Sequence, residues 1–162
     1  MPAARTPARS PAPAVDIADQ PGHLIRRLQQ IAVAVFLQEV GDGALTPVQF
    51  AALQSVANQP GVDQRTLAGL VGLDTSTVAG VVDRLEARGW LARNLSPQDR
   101  RVRLLTLTPE GGRALAQAQP AMLRAQDRLL APLPRADRRE FMRLLRVLVD
   151  ANNEHSRAPA EA

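Results

Sequence analysis

Residues 63–108, DQRTLAGLVGLDTSTVAGVVDRLEARGWLARNLSPQDRRVRLLTLT, constrain the fold more than any other stretch. Leu67, Leu70 and Val71 recur at i, i+3, i+4 before Gly72, and Val78, Val81, Val82 and Leu85 then recur at i, i+3, i+4, i+7. Asp63 is placed to cap the first helix, and Asp74 or Thr75 the second. Gly72 suits the left-handed position that ends one helix and turns sharply into the next. Two short amphipathic helices across a tight glycine turn make a helix-turn-helix. Gly89 then closes the second helix, residues 90–95 read as a strand, and residues 96–101 form a polar turn around Pro97. Residues 102–108 place Val102 and Leu104, then after a break Leu105 and Leu107, as a second strand should. A hairpin directly after a helix-turn-helix is a winged helix.

Charge placement points the same way. All 20 basic residues are arginine, against 16 acids, for a formal charge of +4. Between residues 88 and 103 lie Arg88, Arg93, Arg100, Arg101 and Arg103 against the single acid Asp99, so this stretch alone carries the surplus of the chain. An isolated run of this kind is usually a solvated face. On the hairpin behind a helix-turn-helix, a nucleic-acid backbone is its expected partner.

The second helix of the motif offers the reading surface. Opposite Val78, Val82 and Leu85 it holds Ser76, Ala79, Gly80 and Asp83, with Thr77 and Arg84 at the edge. Its first turn, Thr75, Ser76 and Thr77, offers hydroxyls and N–H groups suited to phosphates and base edges in a major groove. Glycine in a helix costs about 1 kcal/mol relative to alanine; at Gly80 that makes sense where the backbone must lie against DNA, and is otherwise a tolerated weakness. Arg84 is placed for a base or a phosphate. Asp83 is expected to orient a neighbouring arginine, because an acid facing phosphates is unfavourable. At the tip of the wing, Asp99, Arg100 and Arg101 place long cations where a minor groove concentrates negative potential.

The run DRLEARGWLARNLSPQDRRVRLLTLTPEG also resembles the MarR family of bacterial transcription regulators. The matching elements are Asp83-Arg84-Leu85-Glu86, Gly89-Trp90-Leu91, Asp99-Arg100-Arg101 and Leu107-Thr108-Pro109-Glu110-Gly111, and the likeness spans roughly residues 21–152. It implies a mainly α fold with a small β-wing: a winged helix-turn-helix at 45–108, with dimerisation helices at 21–44 and 109–152. It further implies that Asp99 braces the wing while Arg101 inserts, with Arg100 as a second phosphate contact. Terminal helices of two subunits would interdigitate, giving a two-fold dimer on pseudo-palindromic double-stranded DNA. An effector pocket between the dimerisation helices and the winged unit, suited to a small anionic aromatic acid, is also implied. Residues 21–39, PGHLIRRLQQIAVAVFLQE, are similar to the first helix of MarR-type regulators of nicotinate degradation, which implies a hydroxylated pyridine carboxylate as effector.

The rest of the chain supplies the frame. Residues 1–20 are rich in proline and alanine and are expected to be disordered. They lack a long apolar core, so a cytoplasmic location is expected. Nor does any apolar run approach the roughly 18 residues of a membrane span. A helix opens at Pro21 or Gly22 and runs to about Val40, with Leu24, Leu28, Ile31 and Val35 as its stripe. His23, Arg27 and Gln30 stack beside it at i, i+4, i+7, as a wet helix edge or as a rim receiving an anionic effector. Thr46, Pro47 and Gln49 give the next helix a capping box and a proline at its first position, with Phe50, Leu53 and Val56 inward. Val62 is placed to add a third strand beside the wing. From Pro109 a helix is expected to Leu130, kinked or broken near Gln119 by Pro120. A last helix from Arg135 carries Phe141, Leu144, Leu145, Leu148 and Val149 at helical spacing, and residues 153–162 are expected to fray.

Other function classes fare worse. The chain has two histidines, His23 and His155, no cysteine, no tyrosine and no phosphate-binding glycine loop, so neither catalytic nor metal-ligand spacing is found, and no enzyme and no cofactor are expected. A sequence-tolerant architectural DNA binder shares the basic wing and remains as the alternative to an effector-released repressor.

Overall fold

The computed structural model describes residues 16–41, 45–99 and 101–159. Among them are six helices and three strands: α1 (Pro21–Val40), α2 (Pro47–Asn58), β1 (Val62–Asp63), α3 (Gln64–Val71), α4 (Thr75–Ala87), β2 (Leu91–Leu95), β3 (Arg103–Leu107), α5 (Pro109–Leu130) and α6 (Arg135–Ala151). The caps that the sequence proposes are made. Thr46 and Gln49 form the reciprocal capping box of α2. Asp63 caps α3 through the N–H groups of Arg65 and Thr66, and Asp74, rather than Thr75, caps α4. Gly72 ends α3 with φ +69°, while the Leu73 N–H reaches back to the Ala68 carbonyl at 3.0 Å.

The strands form one antiparallel sheet in the order β1-β3-β2, with Val62 opposite Leu105 and Leu91 opposite Leu107. Its inner face closes on the helix-turn-helix, where Leu53, Val56, Leu67, Val78, Val82, Leu85 and Leu105 are fully buried. Leu70 departs from the expected stripe: it is 44% exposed, and Ala68 takes the inward position beside Leu67. In a helix of 8 residues, a rotation of one position is enough to exchange them.

A latch joins the wing to α5. The Thr108 hydroxyl donates to the Gly89 carbonyl at 2.6 Å and accepts from the Gly111 N–H at 3.0 Å. The Thr108 N–H donates to the Trp90 carbonyl. A Cβ on Gly111 would lie 2.0 Å from that carbonyl oxygen, so the first turn of α5 touches the backbone of Trp90 directly. From there α5 runs 22 residues, Pro109–Leu130 as expected, with Pro120 inside it, so of the kink or break expected near Gln119 the break is not made. The missing N–H is outweighed by packing on both sides of it, since Leu115, Ala118, Ala121 and Ala125 are all buried. Glu39 of α1 ties the two helices together through Arg124 and Arg128 of α5, at 3.1 and 3.3 Å.

Each end of the chain carries a short 3-10 turn where it is described. Residues 17–19 form a 3-10 turn capped by Asp16, and the expected disorder of residues 1–15 falls outside the described residues. After α6 a second 3-10 turn, Asn153–His155, opens the C-terminal tail. Ala158 and Pro159 are then half-buried, with the Pro159 carbonyl 3.1 Å from where a Cβ on Gly69 of α3 would lie.

The latch predicts a contrast between two adjacent glycines. Gly111→Ala forces a backbone contact apart and should cost about 2–3 kcal/mol in chemical denaturation. Gly112, whose Cβ would meet nothing within 4 Å, should gain about 0.5–1 kcal/mol as Gly112→Ala.

Candidate nucleic-acid interface

Thr75, Ser76 and Thr77 are exposed at the start of α4, as a reading surface requires. The hydroxyls of Ser76 and Thr77 are not free, however. The Asp74 carboxylate accepts from the Ser76 hydroxyl, from the Thr77 hydroxyl at 2.7 Å and from the Thr77 N–H at 2.8 Å. Those bonds, the Ser76 hydroxyl first, hold the Asp74 carboxyl well below the usual carboxylate range. Gly80 lies one turn further along, partly exposed, and a Cβ there would meet only the Arg84 guanidinium at 3.5 Å. Nothing inside the fold therefore requires a glycine at that position.

Asp83 does orient an arginine, and the arginine is Arg93 of β2. Its guanidinium pairs with Asp83 and, at 3.0 Å, with Glu86, so it pins the solvent face of α4 to the root of the wing. The sequence places Arg93 in the basic cluster expected to face a nucleic-acid backbone, but its guanidinium is instead committed to these two acids. The signal was present in the need of Asp83 for a partner, but the 10-residue separation crosses from helix to strand and has no periodicity to reveal it.

The wing turn is organised by side chains that are not themselves basic. The buried Ser96 hydroxyl accepts from the N–H groups of Gln98 and Asp99, and the Asp99 carboxylate accepts from the Arg101 N–H at 2.9 Å. The Val102 N–H closes the turn on the Asp99 carbonyl. Asp99 thus fixes the backbone at Arg101 while both side chains stay at the surface. Arg100 lies outside the described residues. Arg101 and Arg103 also line an open groove with Arg65 from the first turn of α3, which widens the basic surface beyond the hairpin.

The residues proposed for an effector are dispersed along the edge of α1. His23 is half-buried, Arg27 borders a shallow apolar hollow with Leu24, Leu28 and Ile31, and Gln30 accepts from Arg26 at 3.0 Å. A separate cavity of about 220 Å³ sits where α1 and α5 meet the winged unit, lined by Val40, Leu45, Arg88, Trp90, Ala114 and Gln117 among others. There the Arg88 guanidinium stacks 3.6 Å over the Trp90 ring. Within one chain, His23 stands 17 residues before Val40 on the same helix, about 25 Å along its axis.

Comparison with known proteins decides the family. Residues 45–102 match the MarR family model. PcaV of Streptomyces coelicolor, solved in complex with its natural ligand, is 42% identical and superposes with a TM-score of 0.81 over 86% of this chain and 99% of that one. BpsR of Bordetella bronchiseptica, whose DNA binding is regulated by 6-hydroxynicotinic acid, is 34% identical, with a TM-score of 0.81 over 85% and 98% of the two chains. The repressor CouR, solved on a 23-mer DNA duplex, is 32% identical, with a TM-score of 0.76 over 82% and 94%. The chain belongs to the MarR family.

It is accordingly a DNA-binding transcriptional regulator and not an enzyme. Its MarR motifs acquire physical reasons in this fold. Asp83 and Glu86 of the D-R-L-E element hold Arg93, and the L-T-P-E-G element is the latch that seats α5 on Trp90.

Arg93→Gln removes the cation that occupies two acids on the solvent face of α4. It should weaken DNA binding about tenfold or more while far-UV circular dichroism stays unchanged, because both carboxylates then face phosphates unpaired. Gly80→Ala should raise the melting temperature, as a Cβ fits, and lower DNA affinity in the same preparation.

Proposed function

We propose that this MarR-family regulator is a homodimeric repressor, released from a pseudo-palindromic operator by a small aromatic carboxylate. The dimer rests on one observation above all. Helix α6 buries none of its residues, and Leu144, Val147, Leu148 and Val149 lie 45–63% exposed. Leu24, Ile25 and Ile31 do the same on α1, and an apolar groove of about 290 Å³ runs between α1, α5 and α6. Apolar surface of this extent on a soluble chain marks an interface. A second copy supplies the matching faces and sets two recognition helices about one DNA turn apart.

In this reading Thr75, Ser76, Thr77, Gly80 and Arg84 meet the major groove. Asp99 braces the wing, and Arg100 and Arg101 meet the backbone and minor groove. The effector is an anionic aromatic acid, and a hydroxynicotinate is the narrower reading supported by the likeness to BpsR. His23, Arg27 and Gln30 are its proposed polar contacts. The cavity beside Arg88 and Trp90 favours a second location, since it combines a cation, an aromatic face and room for one ring at the joint between frame and winged unit. Either site works by population shift: the acid favours a dimer whose recognition helices no longer match the half-site spacing.

Fluorescence anisotropy with DNA from the protein's own upstream region, against scrambled DNA, tests the whole reading. A regulator should prefer its operator by about 10³-fold or more, whereas equal binding means an architectural protein. Arg101→Ala should weaken binding to both and lower the salt slope by about 1. Release by 6-hydroxynicotinate that Arg27→Ala abolishes places the acid on α1, while release that survives it places the acid in the joint cavity. Indifference to hydroxynicotinate and benzoates alike removes the effector. Leu148→Glu should shift the protein from dimer to monomer in sedimentation.

A further inference from the structure

Three hydrogen bonds converge on the Asp74 carboxylate, and their direction limits what α4 can read. An ionised carboxylate only accepts, and each hydroxyl carries a single proton. The Ser76 and Thr77 hydroxyls therefore both donate to Asp74, and the lone pairs of their oxygens are what remains for a third group. An oxygen that offers only lone pairs makes no hydrogen bond with a phosphate oxygen, with O6 or N7 of guanine, or with O4 of thymine. It accepts well from the N6 amino group of adenine and the N4 amino group of cytosine.

We propose that Asp74 sets the polarity with which this helix reads DNA: Ser76 and Thr77 select amino-bearing bases, adenine or cytosine, on the strand they face and reject the keto bases guanine and thymine. The inference rests on the reading of α4 as the major-groove helix. Every base pair shows one amino-bearing and one keto base in that groove, so the device senses the orientation of a pair rather than its A·T or G·C content. It also accounts for an acid at the exposed tip of a helix that approaches phosphates. Asp74 is a positioning residue that acts through two hydroxyls, and phosphate contacts are left to the arginines.

Asp74→Asn gives a test specific to hydroxyl direction. The asparagine oxygen keeps the bonds from the Thr77 N–H and the Ser76 hydroxyl, so the helix stays capped. Its NH2 then stands opposite the Thr77 oxygen and donates to it, which turns the Thr77 proton outward. Ser76 keeps its polarity. The readout is anisotropy on the operator with each base pair inverted in turn, and with single adenines replaced by purine, which lacks the 6-amino group. Wild-type protein should lose about tenfold in affinity on inversion at two positions per half-site, and by a similar factor when the amino group alone is removed from an adenine there. Asp74→Asn should abolish or reverse the preference at one of them, and Ser76→Ala should abolish it at the other, with melting temperature and helix content as controls. Indifference of the wild type to removal of the amino groups overturns the proposal. So does an Asp74→Asn protein that binds all DNA more tightly with unchanged preferences, as expected of charge loss alone. A wild-type protein that does not distinguish operator from scrambled DNA overturns the underlying reading, and this shows before any base analogue is used.

Discussion

The contact between Gly111 and the Trp90 carbonyl determines how the two halves of this molecule relate. Because the first turn of α5 rests on backbone rather than on a side chain, no rotamer change can relax it. Thr108 bonds to Gly89 on one side and caps α5 on the other, so the end of the recognition helix, the start of the wing and the start of α5 form one rigid corner. From that corner α5 extends 22 residues, about 33 Å, and packs along α1. Frame and winged unit are thereby joined backbone to backbone.

The surface proposed to meet DNA is built with acids as well as arginines, and each acid has a geometric task. Asp74 fixes two hydroxyls, Asp83 and Glu86 fix Arg93, and Asp99 fixes the backbone at Arg101. Uncommitted, these carboxylates would oppose a phosphate backbone. Committed, they lose rotational freedom together with the groups they hold, so less order has to be imposed when DNA binds. The modest formal charge of +4 is thus compatible with tight binding, since placement of the cations rather than their surplus decides the field at the interface.

Local chemistry made most of the fold legible in advance. Thr46, Asp63 and Gly72 act through neighbours within five residues, and the valine stripe of α4 is a matter of helical period, so sequence spacing suffices for all of them. Pro120 does not break α5, because a rule about isolated helices ignores the alanines and leucine that bury the helix on both sides of it. Leu70 was misleading because an 8-residue helix defines its inner face loosely. In the interface, spacing showed that Ser76 and Thr77 share a turn with Asp74, but not which way their protons point. The pairing of Arg93 with Asp83 depends on how β2 crosses α4, which is a property of the tertiary fold alone.

The rigid corner also limits what an effector can do. A ligand shifts the equilibrium between two arrangements only by the difference in its affinity for them. A molecule bound wholly within the frame, or wholly within the winged unit, has little such difference unless the joint itself moves. The cavity beside Arg88 and Trp90 lies against the latch, so a ring seated there would press on the elements that fix α5 to the wing. The edge of α1 that carries His23 and Arg27 lies far from the latch within one chain, so in the proposed dimer an acid bound there would act through the packing of a partner helix. In the proposed dimer the two sites therefore differ in kind: one would load the corner that joins frame and winged unit within each subunit, and the other would alter the distance between subunits. Recognition of two half-sites at fixed spacing is sensitive to both.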